Sequence, residues 1–251
     1  MVAGEQKINP GRVASGTSAA MLLGLPTPER TIELPQFTVA RAGASAGALG
    51  LRAGSLGRCA WLAAHEIRTT RSGIRITSPI RTVLDCAREM DAPWGLAIAD
   101  AAIGRWKLDP GDLIAAAEAI SPSVNRRQRV LWVVRHARAG VESPLESLGR
   151  AVVVLAGLPE PTPQVWVSTR IGRFRVDLLD EANHVITEAD GRLKYATEDA
   201  VWQEKRREDA LRDGGFEVVR FVMADYKNQG PWLEGYRRAV QRSAARTRNF
   251  A

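Results

Sequence analysis

Apolar and polar positions change period along this chain, and the changes divide it. Ser15-Gly-Thr-Ser-Ala-Ala-Met-Leu-Leu-Gly-Leu25 predicts a short helix that Pro26 stops. Thr31–Leu34 reads as a strand. Two further short strands, around Ile67 and at Ile74–Thr77, flank a turn at Arg71-Ser72-Gly73. Residues 1–12 lack periodicity and read as a disordered tail. Residues 41–57, rich in Gly, Ala and Ser, read as a flexible loop. Helices then take over. Ser78-Pro79 is a cap followed by proline at the first helical position, opening a helix to about Met90. Pro93 opens a second, with Leu96, Ile98, Ala99 and Ile103 on its apolar side, and Asp109-Pro110 a third, over Leu113–Ile120. A basic helix follows, with Arg126, Arg127, Arg129, Arg135 and Arg138 around Val130, Leu131, Val133 and Val134; a solvated amphipathic face is the preferred reading and contact with phosphates the rival.

Gly140 closes that region. Ser143-Pro144-Leu145-Glu146 starts a helix to Ala156, and a proline-rich loop leads to a strand at Gln164–Ser168. The stretch from Phe174 to Tyr195 reads as a hairpin. Thr197–Arg212 is a polar, charge-rich helix with a glycine stop at Gly214-Gly215. Phe216–Val222 alternates as a strand, and a last helix lies near Trp232–Ser243. The second half thus reads helix, three strands, helix, strand, helix. The fold class expected is α/β of the α+β kind: a restriction-endonuclease-like mixed sheet flanked by helices over residues 140–251, preceded by a mainly helical region over 13–139.

Composition narrows the class. A chain of 251 residues with 45% hydrophobic and 25% charged residues is that of an ordinary globular protein. No apolar run approaches a membrane span, and the first residues have no apolar signal core, so a cytoplasmic protein is expected. Cys59 and Cys86 stand alone, as packed or free thiols. The net charge of +7 is uneven. Residues 1–140 hold 18 basic and 11 acidic side chains, and the remainder holds 17 of each. A basic excess favours polyanionic partners, with DNA first.

The hairpin carries the candidate chemistry. With its turn between Ala182 and Asn183, Asp177 falls opposite Glu188, and Asp190 is two residues further on. Like charges facing across a sheet are destabilising, and a hard divalent cation, Mg²⁺ or Mn²⁺, would remove the penalty. Asp177, Glu188 and Asp190 are therefore the candidate metal ligands. A solvated acidic face is the rival reading. His65, His136 and His184 are isolated and have no ligand spacing.

The order from Glu146 to Val222 resembles the PD-(D/E)XK nuclease superfamily, in its branch related to very-short-patch-repair endonucleases. The residues that carry the likeness are Val176-Asp177-Leu178, Glu188-Ala-Asp190-Gly-Arg192-Leu-Lys194, Arg207-Glu-Asp-Ala-Leu211 and Gly215-Phe-Glu-Val-Val-Arg220-Phe221. The resemblance implies a restriction-endonuclease-like domain and Mg²⁺-dependent hydrolysis of DNA phosphodiesters. In that reading Asp177, Glu188 and Asp190 hold the ion, Lys194 orients water or stabilises charge at the phosphate, and Glu146 completes the shell through a water. Asp190 stands where the superfamily usually has Lys, and Lys194 where the branch usually has His. Ser143-x-x-Glu146 also reads as a capping box, a role compatible with a ligand role. Arg207 matches the branch pattern and is the first candidate for a DNA contact, with Lys205 and Arg192 beside it. For Lys205 and Arg206, pairing within the helix to Glu204, Glu208 and Asp209 is the preferred reading.

Thr77-Ser-Pro-Ile-Arg-Thr-Val-Leu-Asp-Cys-Ala87 and Ser15–Leu25 resemble segments of AbiEi-type antitoxins of type IV toxin–antitoxin systems, which implies a cognate toxin as partner. The resemblance is expected to lack the winged helix that precedes these segments in that family, unless the true start lies upstream. Arg81 and Asp85, four apart, could pair on one helix face. Two functions follow: a metal-dependent endonuclease, or a non-catalytic DNA-binding antitoxin or regulator that uses the nuclease fold as scaffold.

Overall fold

The computed structural model describes residues 2–3, 6, 11–28, 35–40, 56–60, 62–120, 126–191 and 198–249. The chain is α+β and divides into two compact units, Met1–Ala139 and Gly140–Ala251. Each unit builds its own mixed sheet. Among the described residues, no helix is long and apolar enough to cross a membrane.

The N-terminal unit contains β1 (Arg12–Ala14), α1 (Gly16–Leu22), β2 (Gln36–Ala40), β3 (Leu56–Ala60), a 3-10 turn at Ala64–Glu66, β4 (Ile67–Thr69) and β5 (Arg75–Thr77). Helices α2 (Pro79–Glu89), α3 (Ala92–Trp106), α4 (Pro110–Glu118) and α5 (Arg127–His136) follow. The sheet order is β3-β2-β1-β5-β4. Arg12 thus opens a central strand rather than ending a loose tail. Gln6 exchanges hydrogen bonds of 2.6 and 2.9 Å with the backbone of Arg75. Strand β3 begins inside the stretch expected to be a flexible loop. Its parallel pairing with β2 satisfies the backbone whatever the side-chain bulk. Residues 41–55 of that stretch, and the strand expected at Thr31–Leu34, lie outside the described residues.

The Thr77–Ala87 segment has local structural work for its polar residues. Ser78 Oγ accepts from the Arg81 N–H and caps α2. Arg81 donates to Glu66 at 2.9 Å and to Asp85 at 3.1 Å, the pairing the four-residue spacing suggested. The Thr77 and Thr82 hydroxyls lie 2.7 Å apart. Gly95 lets the helices close up: a Cβ there would meet Ala87 Cα and Val133 Cγ2, both at 3.1 Å. Cys86 is a buried thiol outside any disulfide.

The C-terminal unit runs α6 (Pro144–Leu155), β6 (Thr162–Thr169), β7 (Gly172–Asp180), β8 (Val185–Ala189), α7 (Glu198–Asp213), β9 (Glu217–Phe221), α8 (Met223–Lys227) and α9 (Gln229–Asn249). Its sheet order is β6-β7-β8-β9. The first three strands pair antiparallel, and β9 adds parallel to β8 after the α7 crossover. Val167, Val176, Leu179, Ile186, Leu211 and Val218 form one apolar cluster between the sheet and α7. On α6, Gly149 allows close approach, since a Cβ there would meet the Phe221 ring at 3.1 Å. The proline-rich loop after α6 is tied back by fully buried Arg150, which donates to Glu160 at 2.6 Å.

The β7–β8 turn sets the register that matters. Buried Asp180 accepts from the Asn183 N–H (3.1 Å), from Asn183 Nδ2 (2.7 Å) and from the Tyr236 hydroxyl of α9 (2.9 Å). Burial and the neighbouring Asp180 charge together push the Tyr236 phenol far above its ordinary range. With the turn so held, Asp180 pairs with Val185, Leu179 with Ile186 and Leu178 with Thr187. A one-residue slip would turn every hydrophobic side chain of the hairpin to the wrong face.

Candidate functional site

Continuing that register one step brings Asp177 opposite Glu188. The two carboxylates come from neighbouring strands, held together by the ladder beside them. Asp177 Oδ2 accepts from the Ala189 N–H at 2.8 Å. Its other oxygen, Oδ1, faces Gln164 Nε2 at 3.4 Å, at the long limit of a hydrogen bond.

Gln164 is a feature the sequence did not disclose. It lies on β6 opposite Asp177, yet the β6–β7 ladder skips this pair while joining Pro163 to Leu178 and Val165 to Val176. Its backbone takes φ +57°, the left-handed region that side chains other than glycine rarely adopt. The strands change phase here. Val176 and Leu179 share one apolar cluster although they are three residues apart, whereas regular alternation puts such positions on opposite faces. Residues held in this backbone region typically cost about 1–3 kcal/mol and cluster at functional sites. Nothing in the Pro163-Gln164-Val165 string signals this conformation.

Through Gln164 the network reaches α6. Gln164 Nε2 donates to Glu146 Oε2 at 2.8 Å. Glu146 is buried, and its carboxylate also accepts from the Glu142 N–H at 3.2 Å. The expected capping box is half realised. Ser143 Oγ accepts from the Glu146 N–H at 3.2 Å, while the Glu146 carboxylate turns back to residue 142 instead of 143. Burial raises the proton affinity of Glu146 above its ordinary value, and its hydrogen bonds oppose that rise.

Glu188 is held by a cation. Arg207 Nη2 on α7 donates to Glu188 Oε1 at 2.7 Å and to the Arg175 carbonyl at 3.0 Å, and Arg207 Nη1 reaches Glu204 at 3.3 Å. Burial pushes the Glu188 carboxyl up to about 7. Arg207 pulls it down and Asp177 adds to the rise. Arg207, expected at the DNA, is thus occupied within the site. Asp190 stays apart from the Asp177–Glu188 pair in its bonding: its Oδ2 accepts from Arg220 Nη1 at 2.9 Å, and Arg220 also meets Glu204 and Glu208. Lys205 is exposed on α7, and Arg206 stacks on the Trp202 ring at 4.8 Å. Arg192 and Lys194 lie outside the described residues. His136 and His184 are ring-packed, against Trp132 and Phe216.

Among the described residues, no group of three or more His, Cys, Asp or Glu is gathered closely enough to hold a metal ion. The donor set that does converge is two carboxylates, Asp177 and Glu188. Mg²⁺ accepts such a set, because it keeps most of its waters and is commonly held by one or two carboxylates with substrate phosphates completing its shell. The chemistry of the donors therefore fits a hard divalent cation. No protein-family model, curated protein or solved structure matches the chain.

Proposed function

We propose that residues 140–251 form a metal-dependent DNA endonuclease domain that hydrolyses phosphodiesters. The observation that carries this reading is the opposition of Asp177 and Glu188 across β7 and β8, half-buried and mutually repelling. A pair of this kind is costly without a cation. The order of elements, from α6 through the β6–β8 meander and α7 to parallel β9, supports it as the arrangement implied by the PD-(D/E)XK resemblance.

In this reading Asp177 and Glu188 hold Mg²⁺ or Mn²⁺. Such an ion, when bound, would supply a water of lowered pKa and charge stabilisation at the phosphate. The chain's own residues prepare that site. The Ala189 N–H fixes one Asp177 oxygen and leaves the other on the side of Gln164. Gln164 acts as a positioning residue that ties Asp177 to buried Glu146. Arg207 partly offsets the burial that raises the Glu188 carboxyl. The resemblance gives Asp190 as a further ligand of the ion and Lys194 as the group at the scissile phosphate, and Arg192 and Lys205 are the candidates for contact with DNA beside Arg207.

The second reading is a non-catalytic DNA-binding antitoxin or regulator with a toxin partner. One observation favours it: Arg207 and Arg220 already neutralise Glu188 and Asp190 inside the domain. Fold does not decide between the two. Calorimetric titration of Mn²⁺ into the full chain, and into Asp177→Ala and Glu188→Gln, does. Saturable binding lost in both variants supports the endonuclease, and supercoiled plasmid then reports cleavage. Variants that bind Mn²⁺ like the parent overturn the assigned site. A parent that neither binds the ion nor cuts DNA with it leaves the regulator.

A further inference from the structure

The β6–β7 hairpin presents an aromatic and cationic surface that neither the core nor the carboxylate site uses. Trp166 is 57% exposed. Its strand neighbours Val165 and Val167 turn into the apolar cluster. Buried rings of this size normally contribute heavily to a core, so leaving an indole in water forgoes that gain. Trp166 pairs across the ladder with Arg175, and the Arg173 guanidinium lies over its ring at 5.6 Å. Arg170 sits at the tip of the same hairpin, largely exposed and paired with Asp213. No carboxylate partner of Arg173 occurs among the described residues.

Along the chain this surface lies close to the site. Trp166 is two residues from Gln164, and Arg175 is two residues from Asp177, each about 7 Å along a strand. Arg175 donates to Glu142 at 2.8 Å, and the Glu142 N–H holds Glu146. On its other side, the Arg175 carbonyl accepts from Arg207, which holds Glu188. A second exposed stack lies on α7, where Trp202, 60% exposed, carries Arg206.

We propose that Trp166, with Arg173 and Arg175, is a stacking platform for an unpaired base of single-stranded DNA that leads a strand to the Asp177–Glu188 site. The proposal deepens the endonuclease reading and rests on it, by naming the substrate class. A flat indole accepts the π-face of any base, and flanking guanidiniums meet the phosphates on either side. Paired bases keep their faces inside the duplex stack, so a platform of this kind selects single strands, frayed ends or flaps. A cross-strand Trp–Arg pair can also serve hairpin stability alone. Binding measurements separate the two roles.

The test is fluorescence anisotropy on the full chain without divalent ions. The probes are a labelled oligothymidylate of about 20 nucleotides and a duplex of equal length. Trp166→Ala is expected to weaken oligothymidylate binding by roughly 5- to 100-fold and duplex binding by less than about 2-fold. Trp166→Phe is expected to keep most of the affinity, and Arg173→Ala to lose part of it with a shallower salt dependence. Oligothymidylate binding within about 2-fold of the parent in Trp166→Ala overturns the platform, as does an equal loss on both probes or a parent that does not bind the single strand. Asp177→Ala separates this result from the nuclease reading. If it binds the single strand through Trp166 while neither it nor the parent cuts, the platform stands and the endonuclease falls.

Discussion

Arg207 donates to Glu188 at 2.7 Å, from the middle of α7 to the end of β8. The pair is half-buried, with side-chain exposures of 20% and 14%, so it is neither a screened surface bridge nor a fully desolvated one. It also means that the carboxylate facing Asp177 carries its own counter-charge before any ion arrives.

Removing that counter-charge is informative. In Arg207→Ala, Asp177 and Glu188 face each other without a guanidinium, and the domain is expected to lose about 1–3 kcal/mol. Millimolar Mn²⁺ is expected to restore much of the lost melting temperature, because a bound ion stabilises by mass action. Differential scanning calorimetry with and without Mn²⁺ checks this. A variant as stable as the parent, or one indifferent to the ion, removes the charge argument.

The pH dependence follows from Glu188. Burial raises its carboxyl in the folded state to about 7, above the ordinary value of 4.5. Between those values the folded chain binds more protons here than the unfolded chain, so this group's contribution to stability falls as pH rises. The contribution is fully present below pH 4.5 and is lost as pH passes through about 7. Glu188→Gln is expected to flatten that window in thermal melts between pH 5 and 8. An unchanged slope would place the titration elsewhere. Ion binding has the opposite sign, since the ligand must be deprotonated. Below pH 7, Mn²⁺ affinity is expected to fall by up to about tenfold per pH unit.

Gln164 joins two carboxylates and holds a left-handed backbone. Gln164→Ala removes a donor from buried Glu146 and keeps the strained backbone, at an expected cost of about 1–3 kcal/mol. Gln164→Gly also removes the donor but relieves the strain, and is expected to cost less than Gln164→Ala. Denaturant melts of the two variants give the order. A glycine variant less stable than the alanine one would show that the backbone is not strained.

Tyr236→Phe tests how the register is held. It removes the donor that Asp180 receives from α9 while keeping the ring. The expected loss is about 1.5–3 kcal/mol, the range for a hydrogen bond to a charged group. Faster hydrogen exchange is expected at the Ala189 amide, which reports the Asp177 bond directly. Unchanged exchange at that amide would uncouple the turn from the site.

The hairpin register and the helix starts were legible in the order of residues, for a local reason. A strand alternates with period two, a turn of Glu-Ala-Asn type fixes the pairing, and Ser or Asp before proline caps a helix within one turn. Asp177 opposite Glu188, Ser143 at its cap and Arg81 beside Asp85 all came from such short spacings. The alternation of helices and strands in residues 140–251 was legible in the same way.

Other features depended on contacts far apart in the chain. Strand β3 exists through parallel pairing with β2, and Arg12 is buried at the centre of a sheet that its flanking residues do not foreshadow. Gln164 takes its backbone conformation where β6 and β7 change phase, and it reaches Glu146 eighteen residues away. Arg207 was visible as a cation but not as the partner of Glu188, nineteen residues earlier in the chain. Likewise, a three-carboxylate reading of the hairpin could not anticipate that Arg220 holds Asp190. Residue order carries local backbone preference and the spacing of charges. Which charge meets which across a sheet is decided by packing, because only the folded chain sets the distances on which electrostatic and hydrogen-bond energies depend.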